Sequence, residues 1–190
     1  MDKVKLGNPA VVGLGGFGIT TLLLQFHNLG LIGLGPVIAM GIIFGGFAQL
    51  VAGFMEQKTG NNFGFAAFTS YGAFWIGLCI IWLMNHFNIY TSSHTDVGFY
   101  LIAWTLLTAI FFIASLFIHT AMIFTFGTLL LGFIALDLAH FGFPIFTTVA
   151  AYILILCALS AWYMMASIII NDLSGKELLK SGKAWITLNK

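Results

Sequence analysis

Polar side chains recur inside the apolar stretches of this chain, and they are the groups whose spacing could do chemistry. Those that share a helical face with small or bulky apolar residues are Thr20, Asn28, Gln49, Glu56, Thr125 and Thr128. Hydroxyl, amide and carboxyl groups bind a small polar solute through hydrogen bonds. Polar groups within apolar segments usually face a bundle interior or a water path. The pattern therefore predicts a passage for a solute.

Bulky side chains lie on the same faces and would narrow such a passage. Phe17 shares a face with Thr20, and Leu129 shares a face with Thr125. Tyr71 holds a comparable position in a third stretch, next to Gly72. Faces of this kind can enclose a narrow path, in which polar side chains form hydrogen bonds to the solute and apolar side chains form constrictions.

Each of these polar residues also has a purely structural interpretation. Threonines within a helix can donate to their own backbone carbonyls. Glu56 can be a solvated carboxylate at a helix end. Gln49 can line a pore or join two helices, because its amide needs several hydrogen-bond partners.

Enzyme chemistry has little support in the sequence. The five histidines are scattered, and no two have the spacing of metal ligands on one helix. The run from Gly13 to Gly18 loosely matches a dinucleotide-binding loop, but it follows no strand and lies in an apolar stretch. No phosphate-binding loop is found. The sequence predicts a chain that is not an enzyme, holds no metal or cofactor, and does not itself hydrolyse ATP.

The composition indicates a membrane protein. Of the 190 residues, 60% are hydrophobic and 7% are charged, and the mean hydropathy is +1.03. Soluble domains carry about 25% charged residues. A bilayer accommodates this much apolar surface because it acts as the solvent. The net charge of +1 gives no reason to expect a nucleic-acid partner.

Six apolar stretches approach the length of about 20 residues that a helix needs to cross a bilayer. They cover residues 9–29, 36–55, 63–84, 97–118, 120–140 and 145–170. We expect an all-α integral membrane protein, with one six-helix domain over residues 1–190 and a polar C-terminal tail over residues 171–190. Asn8 precedes the first stretch, where its side chain can cap the helix and lie at the inner mouth of a path.

The lysines predict the orientation of the six spans. The chain has seven lysines and no arginine. Two lysines precede the first span, Lys58 lies between the second and third, and four lysines follow the sixth. All seven then fall on one side of the membrane. Because short loops rich in lysine stay in the cytoplasm, both termini are expected to be cytoplasmic, in a multi-pass protein of the cytoplasmic membrane.

A series of short motifs resembles the acetate uptake transporter family, the succinate–acetate permeases. In order they are Asn8-Pro9-Ala10, Gly13-Leu14, Phe17-Gly18, Gly45-Gly46, Ala48-Gln49, Ala52-Gly53, Glu56, Gly60-Asn61, Phe63-Gly64, Ala67-Phe68 and Ser70-Tyr71-Gly72. Val11 departs from the pattern, since the family often has a second proline there. The second half of the chain matches mainly by hydropathy.

The resemblance implies a six-helix protomer that assembles into a homo-hexamer, with a separate path through each protomer. It implies passage of acetate, and of other small carboxylates such as succinate, either by proton symport or by channel-like permeation. It also implies an apolar constriction formed by Phe17, Tyr71 and Leu129.

Two other functions compete with carboxylate transport. The neutral polar side chains along these helix faces would suit a channel for urea or short amides equally well. A membrane sensor or scaffold would need no solute path at all. The near absence of cations within the spans agrees with weak binding of an anion, because a lysine in the path would hold the anion too tightly.

Overall fold

The computed structural model describes residues 6–187 and is helical throughout its regular structure. Lys3, Lys5 and Lys190, which support the predicted orientation, lie outside the described residues. The helices are α1 (Ala10–Asn28), α2 (Gly35–Ile42), a π-helical segment (Ile43–Ala48), α3 (Gln49–Thr59), α4 (Asn62–His86), α5 (His94–Ser115), α6 (Thr120–His140) and α7 (Ile145–Ser174). Within residues 6–187, six continuous helical stretches are long and apolar enough to span a membrane, as the sequence predicts.

The second span is not one uniform helix. It passes from α2 through the π-helical segment into α3 without a break. Glycines allow the first two spans to approach closely here. A side chain at Gly45 would clash with Thr20, and one at Gly16 would clash with the backbone carbonyl of Phe44. The widened turn ends at Ala48, immediately before Gln49.

Local capping interactions set the ends of the spans. Asn61 accepts a hydrogen bond from the backbone N–H of Gly64 at 3.0 Å and so caps α4. Ser93 and Asp96 form a reciprocal capping box at the start of α5. His119 Nδ1 accepts from the backbone N–H of Met122 at 3.1 Å and caps α6. These caps explain why adjacent spans are joined by such short turns.

The helices pack around a buried aromatic cluster. α1 contacts α7 and the π-helical segment, α3 contacts α4, and α6 lies between α5 and α7. The cluster contains Tyr71, Phe74, Trp104, Phe111 and Phe126, with ring centroids 5.2–6.2 Å apart among contacting pairs. The outward faces carry exposed apolar side chains, which suits contact with lipid.

The bundle has two ends, which we name by their contents. The lysine face holds residues 6–9, the turn at 60–61, His119 and the tail from Gly175, together with the described lysines. The opposite face holds the connections over residues 29–34, 87–93 and 141–144. The tail folds back over the lysine face. The backbone N–H of Ala121 donates to the carbonyl of Ser181 at 2.9 Å, and that of Trp185 donates to the carbonyl of Leu116 at 3.0 Å.

Candidate solute path

A cavity of about 240 Å³ enters the bundle from the lysine face. Its walls come from α1, α3, α4, α6 and α7, and Ser181 of the tail lies at its rim. On α1 the lining runs from Ala10 inward to Phe17, on α4 from Asn61 to Tyr71, and on α6 from His119 to Leu129. The rise of about 1.5 Å per residue makes these walls roughly 10–15 Å deep.

The cavity ends at Phe17, Tyr71 and Leu129, the deepest lining residue of each of their helices. All three are buried, and the rings of Phe17 and Tyr71 meet edge to face with centroids 5.8 Å apart. We call these three residues the collar. Thr108 donates to the carbonyl of Trp104 at 2.7 Å, so at their 2.8 Å contact the Tyr71 hydroxyl donates to Thr108 Oγ1. This bond fixes the tyrosine ring.

Gln49 lines the cavity and is the polar residue with the least satisfied side chain. It is fully buried, and neither its amide nitrogen nor its amide oxygen has a hydrogen-bond partner. An unpartnered buried amide is unfavourable by about 1–3 kcal/mol. The side chain offers two donors and one acceptor toward the cavity. It can bind a carboxylate through N–H donors without any positive charge.

The hydroxyl groups of Thr125 and Ser167, which also line the walls, are already bonded within the protein. The Thr125 hydroxyl donates to the carbonyl of Ala121 at 2.9 Å and contacts Ser160 Oγ at 2.7 Å. Ser167 donates to the carbonyl of Met164 at 2.8 Å. Among residues 6–187, Gln49 is therefore the lining residue whose side-chain polar atoms are fully buried and without a hydrogen-bond partner.

The mouth of the cavity is polar. Asn61 donates through Nδ2 to Glu56 Oε2 at 2.8 Å, while its Oδ1 caps α4. His119 lies on the rim, and burial lowers its pKa below the ordinary value of 6.5. Its Nδ1 accepts from a backbone N–H, which requires that nitrogen to be unprotonated. The rim histidine is therefore neutral near pH 7.

With this geometry established, comparison with known proteins identifies the family. The model of the GPR1/FUN34/yaaH family matches residues 1–179. The chain belongs to this family. The match covers nearly the whole chain and confirms the resemblance inferred from the motifs.

Individual members of the GPR1/FUN34/yaaH family support the same assignment. The succinate-acetate/proton symporter SatP of Escherichia coli K12 is 38% identical over 97% of this chain and 100% of its own length. Acetate permease A of Emericella nidulans is 32% identical over 86% of this chain and 61% of its own length. A solved structure described as the bacterial acetate channel SatP superposes with a TM-score of 0.90 at 39% identity. It covers 94% of this chain and 100% of that one. The six-helix membrane fold is thereby confirmed.

The structure brings five of the predicted site residues together around the cavity: Phe17, Gln49, Tyr71, Thr125 and Leu129. Four others lie away from it. The Thr20 hydroxyl donates to the carbonyl of Met40 at 3.3 Å, and Asn28 donates to Gln25 Oε1 at 3.0 Å. Thr128 donates to the carbonyl of Phe124 at 2.8 Å. These three bonds match the structural interpretation of such residues.

Asn8 is the fourth predicted site residue that lies away from the cavity, and Glu56 lies just behind the cavity wall. Asn8 Oδ1 accepts from the backbone N–H of Ala10 at 3.0 Å, which supports the predicted cap. Asn8 is exposed and lines a separate groove between α1 and α7. Glu56 lies behind Asn61 and is only 2% exposed, so it is not the solvated helix-end carboxylate that one interpretation expected.

Several lining residues were not singled out from the sequence: Phe63, His119, Phe126, Ser167 and Ser181. His119 falls between the predicted spans 97–118 and 120–140, and Ser181 lies in a tail whose folding back has no periodic signal. Phe126 follows Thr125 directly. Its spacing of three from Leu129 is the one signal that could have included it.

Proposed function

We propose that this chain moves acetate, and other small carboxylates such as succinate, across the cytoplasmic membrane by passive or proton-coupled transport. The observation that carries the proposal is the unpartnered Gln49 amide in a cavity that ends at an apolar collar. The relatives named as a succinate-acetate/proton symporter, an acetate permease and an acetate channel support it. The proposed role is transport and not catalysis.

The two ends of acetate match the two parts of the cavity. The carboxylate accepts hydrogen bonds from the Gln49 amide, and the methyl group points toward Phe17, Tyr71 and Leu129. Binding is weak because no lysine or arginine of the described residues lines the cavity, so the solute can leave again. The collar disfavours a bare anion, since burying an unpaired charge is very unfavourable. Passage therefore requires a proton on the solute or transient wetting of the collar.

The orientation and assembly complete the proposal. Both termini and Lys58 lie in the cytoplasm, because the described lysines all lie on one face. The cavity then opens to the cytoplasm. Residues 1–190 form one domain, and the exposed apolar faces accommodate lipid and the neighbouring copies of a homo-hexamer. An impermeant thiol reagent applied outside intact cells should label a cysteine placed at position 94. Labelling only from the cytoplasmic side would show that the orientation is the reverse of the one proposed.

Solute flux in vesicles tests the function. Purified protein is reconstituted, and the uptake of labelled acetate, succinate and urea is compared with uptake by protein-free vesicles, with and without an imposed pH gradient. We expect protein-dependent flux of the carboxylates that exceeds flux of urea. Urea flux that equals or exceeds carboxylate flux would favour a neutral-solute channel, and no protein-dependent flux would favour a sensor or scaffold.

A further inference from the structure

Glu56 is a buried carboxyl group with no ion-pair partner among residues 6–187. It is 2% exposed. Oε2 accepts from Asn61 Nδ2 at 2.8 Å and contacts the Thr59 hydroxyl at 3.3 Å. Oε1 is buried and has no partner within the described chain. An isolated carboxylate in such a place is unfavourable, and one added proton on Oε1 would remove the charge.

The position of this carboxyl group ties it to the cavity. Asn61, its main partner, and Gly64 both line the mouth. A Cβ atom built on Gly64 would lie 3.0 Å from the carboxyl carbon of Glu56. The missing side chain at position 64 therefore leaves the carboxyl group against the cavity wall. Any larger residue there would push it away.

Charged neighbours among residues 6–187 do not explain why the Glu56 carboxyl group is buried at this position. α1, the π-helical segment and α4 pack against α3. The titratable residues of these elements are His27 and His86 at the opposite face, and Tyr71 and Cys79 deeper in the bundle. Lys58 is exposed on the same helix as Glu56, and His119 lies across the mouth. None of them is hydrogen-bonded to Glu56 among residues 6–187.

We propose that Glu56 is the proton-binding site that couples carboxylate movement to proton movement. The inference rests on the transport function proposed above. A solute that crosses the collar as a neutral acid ionises at the mouth: its O–H bond breaks, and an O–H bond forms on Glu56 Oε1. The solute leaves as an anion, and Glu56 then releases the proton to water on the lysine face. A solute that enters from the lysine face takes a proton from Glu56 by the same steps in reverse.

This exchange keeps the charge at the mouth constant. For a monocarboxylate such as acetate, either Glu56 or the solute is ionised, so two carboxylates never face each other at a mouth that no lysine or arginine of residues 6–187 lines. Like charges in close proximity disfavour simultaneous ionisation. Asn61 Nδ2 holds the carboxyl group in place in both states, because it donates to Oε2 and leaves Oε1 free to take the proton.

The test asks whether movement of a monocarboxylate across the collar needs a proton site at position 56. Labelled acetate is the probe, because one proton neutralises it, and protein-free vesicles correct for the passage of acetic acid through lipid. Each crossing of the collar begins or ends with a proton on Glu56, so gradient-driven uptake and exchange between equal pools both require this residue. We expect Glu56→Gln to lower both rates by about a hundredfold. Glutamine retains an acceptor for Asn61, so a purely structural role would survive in this variant.

Asp137→Asn is the matched control. Asp137 also has one unpartnered oxygen, and its other oxygen accepts from Thr105 at 2.7 Å, but it lies toward the opposite face. This variant should keep gradient-driven uptake. Coupling that survives in Glu56→Gln, or wild-type acetate flux that ignores the proton gradient, would overturn the inference. Absence of any protein-dependent flux in the wild type would instead overturn the proposed function.

A second measurement uses the wild-type protein and does not depend on the folding of a variant. Hydrophobic carbodiimides modify protonated carboxyl groups. Peptide mass spectrometry should locate the adduct on Glu56, and its yield should fall as acetate fills the cavity. Absence of the adduct on Glu56 at every pH tested would contradict proton binding there.

Discussion

At the scale of single residues, Gln49 combines full burial with an amide that has no hydrogen-bond partner among residues 6–187. Most polar side chains in the spans satisfy themselves through nearby carbonyls, as Thr128 does. Gln49 does not, and it lines the cavity. Its environment is unfavourable for stability, which is common where a residue must remain available for a ligand.

We expect Gln49→Leu to fold and to transport acetate about tenfold more slowly, because it loses a hydrogen bond of about 1.4 kcal/mol to the solute. Thermal stability should stay equal or rise, since an unpartnered amide is removed. The control is Gln25→Leu, which removes a buried amide that is bonded to the Thr21 carbonyl outside the cavity. Wild-type acetate flux in Gln49→Leu would refute the assignment of this residue.

The collar makes a different prediction. Phe17→Ala and Tyr71→Ala should widen the deep end of the cavity and raise the flux of larger carboxylates relative to acetate. Each should lower stability by about 3–5 kcal/mol, as large core truncations do. Phe74→Ala is the control, because Phe74 is buried in the same aromatic cluster but does not line the cavity. Equal selectivity in all three variants would show that the collar does not select by size.

The lowered pKa of His119 leads to a prediction about how the stability of the fold depends on acid pH. Burial lowers its pKa, so the folded protein binds fewer protons at this site than the unfolded chain does. Stability should therefore fall as the pH drops below about 6.5, where the unfolded histidine gains its proton. Protonation of Nδ1 would also break the cap on Met122. His119→Asn keeps a capping acceptor and should show a weaker dependence of the melting temperature on acid pH. An unchanged dependence would show that other groups cause the loss of stability in acid.

At the scale of elements, hydropathy and caps predict the spans well. The predicted starts at residues 120 and 145 coincide with those of α6 and α7. Pro9, Gly60-Asn61 and Pro144 mark boundaries because each breaks or caps a helix. The π-helical segment was not predicted, because its Gly45-Gly46 pair also suits close packing of ordinary helices. The extra residue in its turn depends on tertiary contacts with α1.

The tail is an element that only the tertiary structure reveals. Thr120 donates to the Lys183 carbonyl at 3.0 Å, and Tyr163 donates to the Lys180 carbonyl at 2.9 Å. Gly182 has a φ of +81°, and an added Cβ would lie 2.6 Å from Thr120 Oγ1. Such a backbone conformation is disfavoured for every residue except glycine.

We expect Gly182→Ala to release the tail from the mouth, because the alanine is both strained and sterically blocked. Proteolysis of the tail should accelerate, and acetate flux should rise where the tail limits access past Ser181. Gly175→Ala is the control: its φ of +64° is also positive, but nothing lies within 4 Å of an added Cβ. Identical proteolysis rates in the two variants would show that contact with Thr120 does not hold the tail.

At the scale of the whole molecule, composition and lysine placement predict the membrane class, the span count and an orientation, since each depends on sums over many residues. The site was predicted less completely. Phe17, Tyr71, Leu129 and Gln49 line one cavity, and their role as a constriction stays a prediction. Asn28 and Thr20 share helix faces with Phe17, yet they satisfy local partners. Periodicity identifies a face of a helix, but it does not show which neighbour fills that face.

The central claim is that the cavity on the lysine face is the route of the solute. Ser167→Cys places a thiol on its wall with little change of volume, and Ser174→Cys places one on the same helix outside the cavity. Acetate flux through the two variants should be compared before and after treatment with a small methanethiosulfonate. We predict that flux through Ser167→Cys is blocked and that acetate slows the block, while Ser174→Cys is unaffected. Full flux through a completely modified Ser167→Cys would contradict the account.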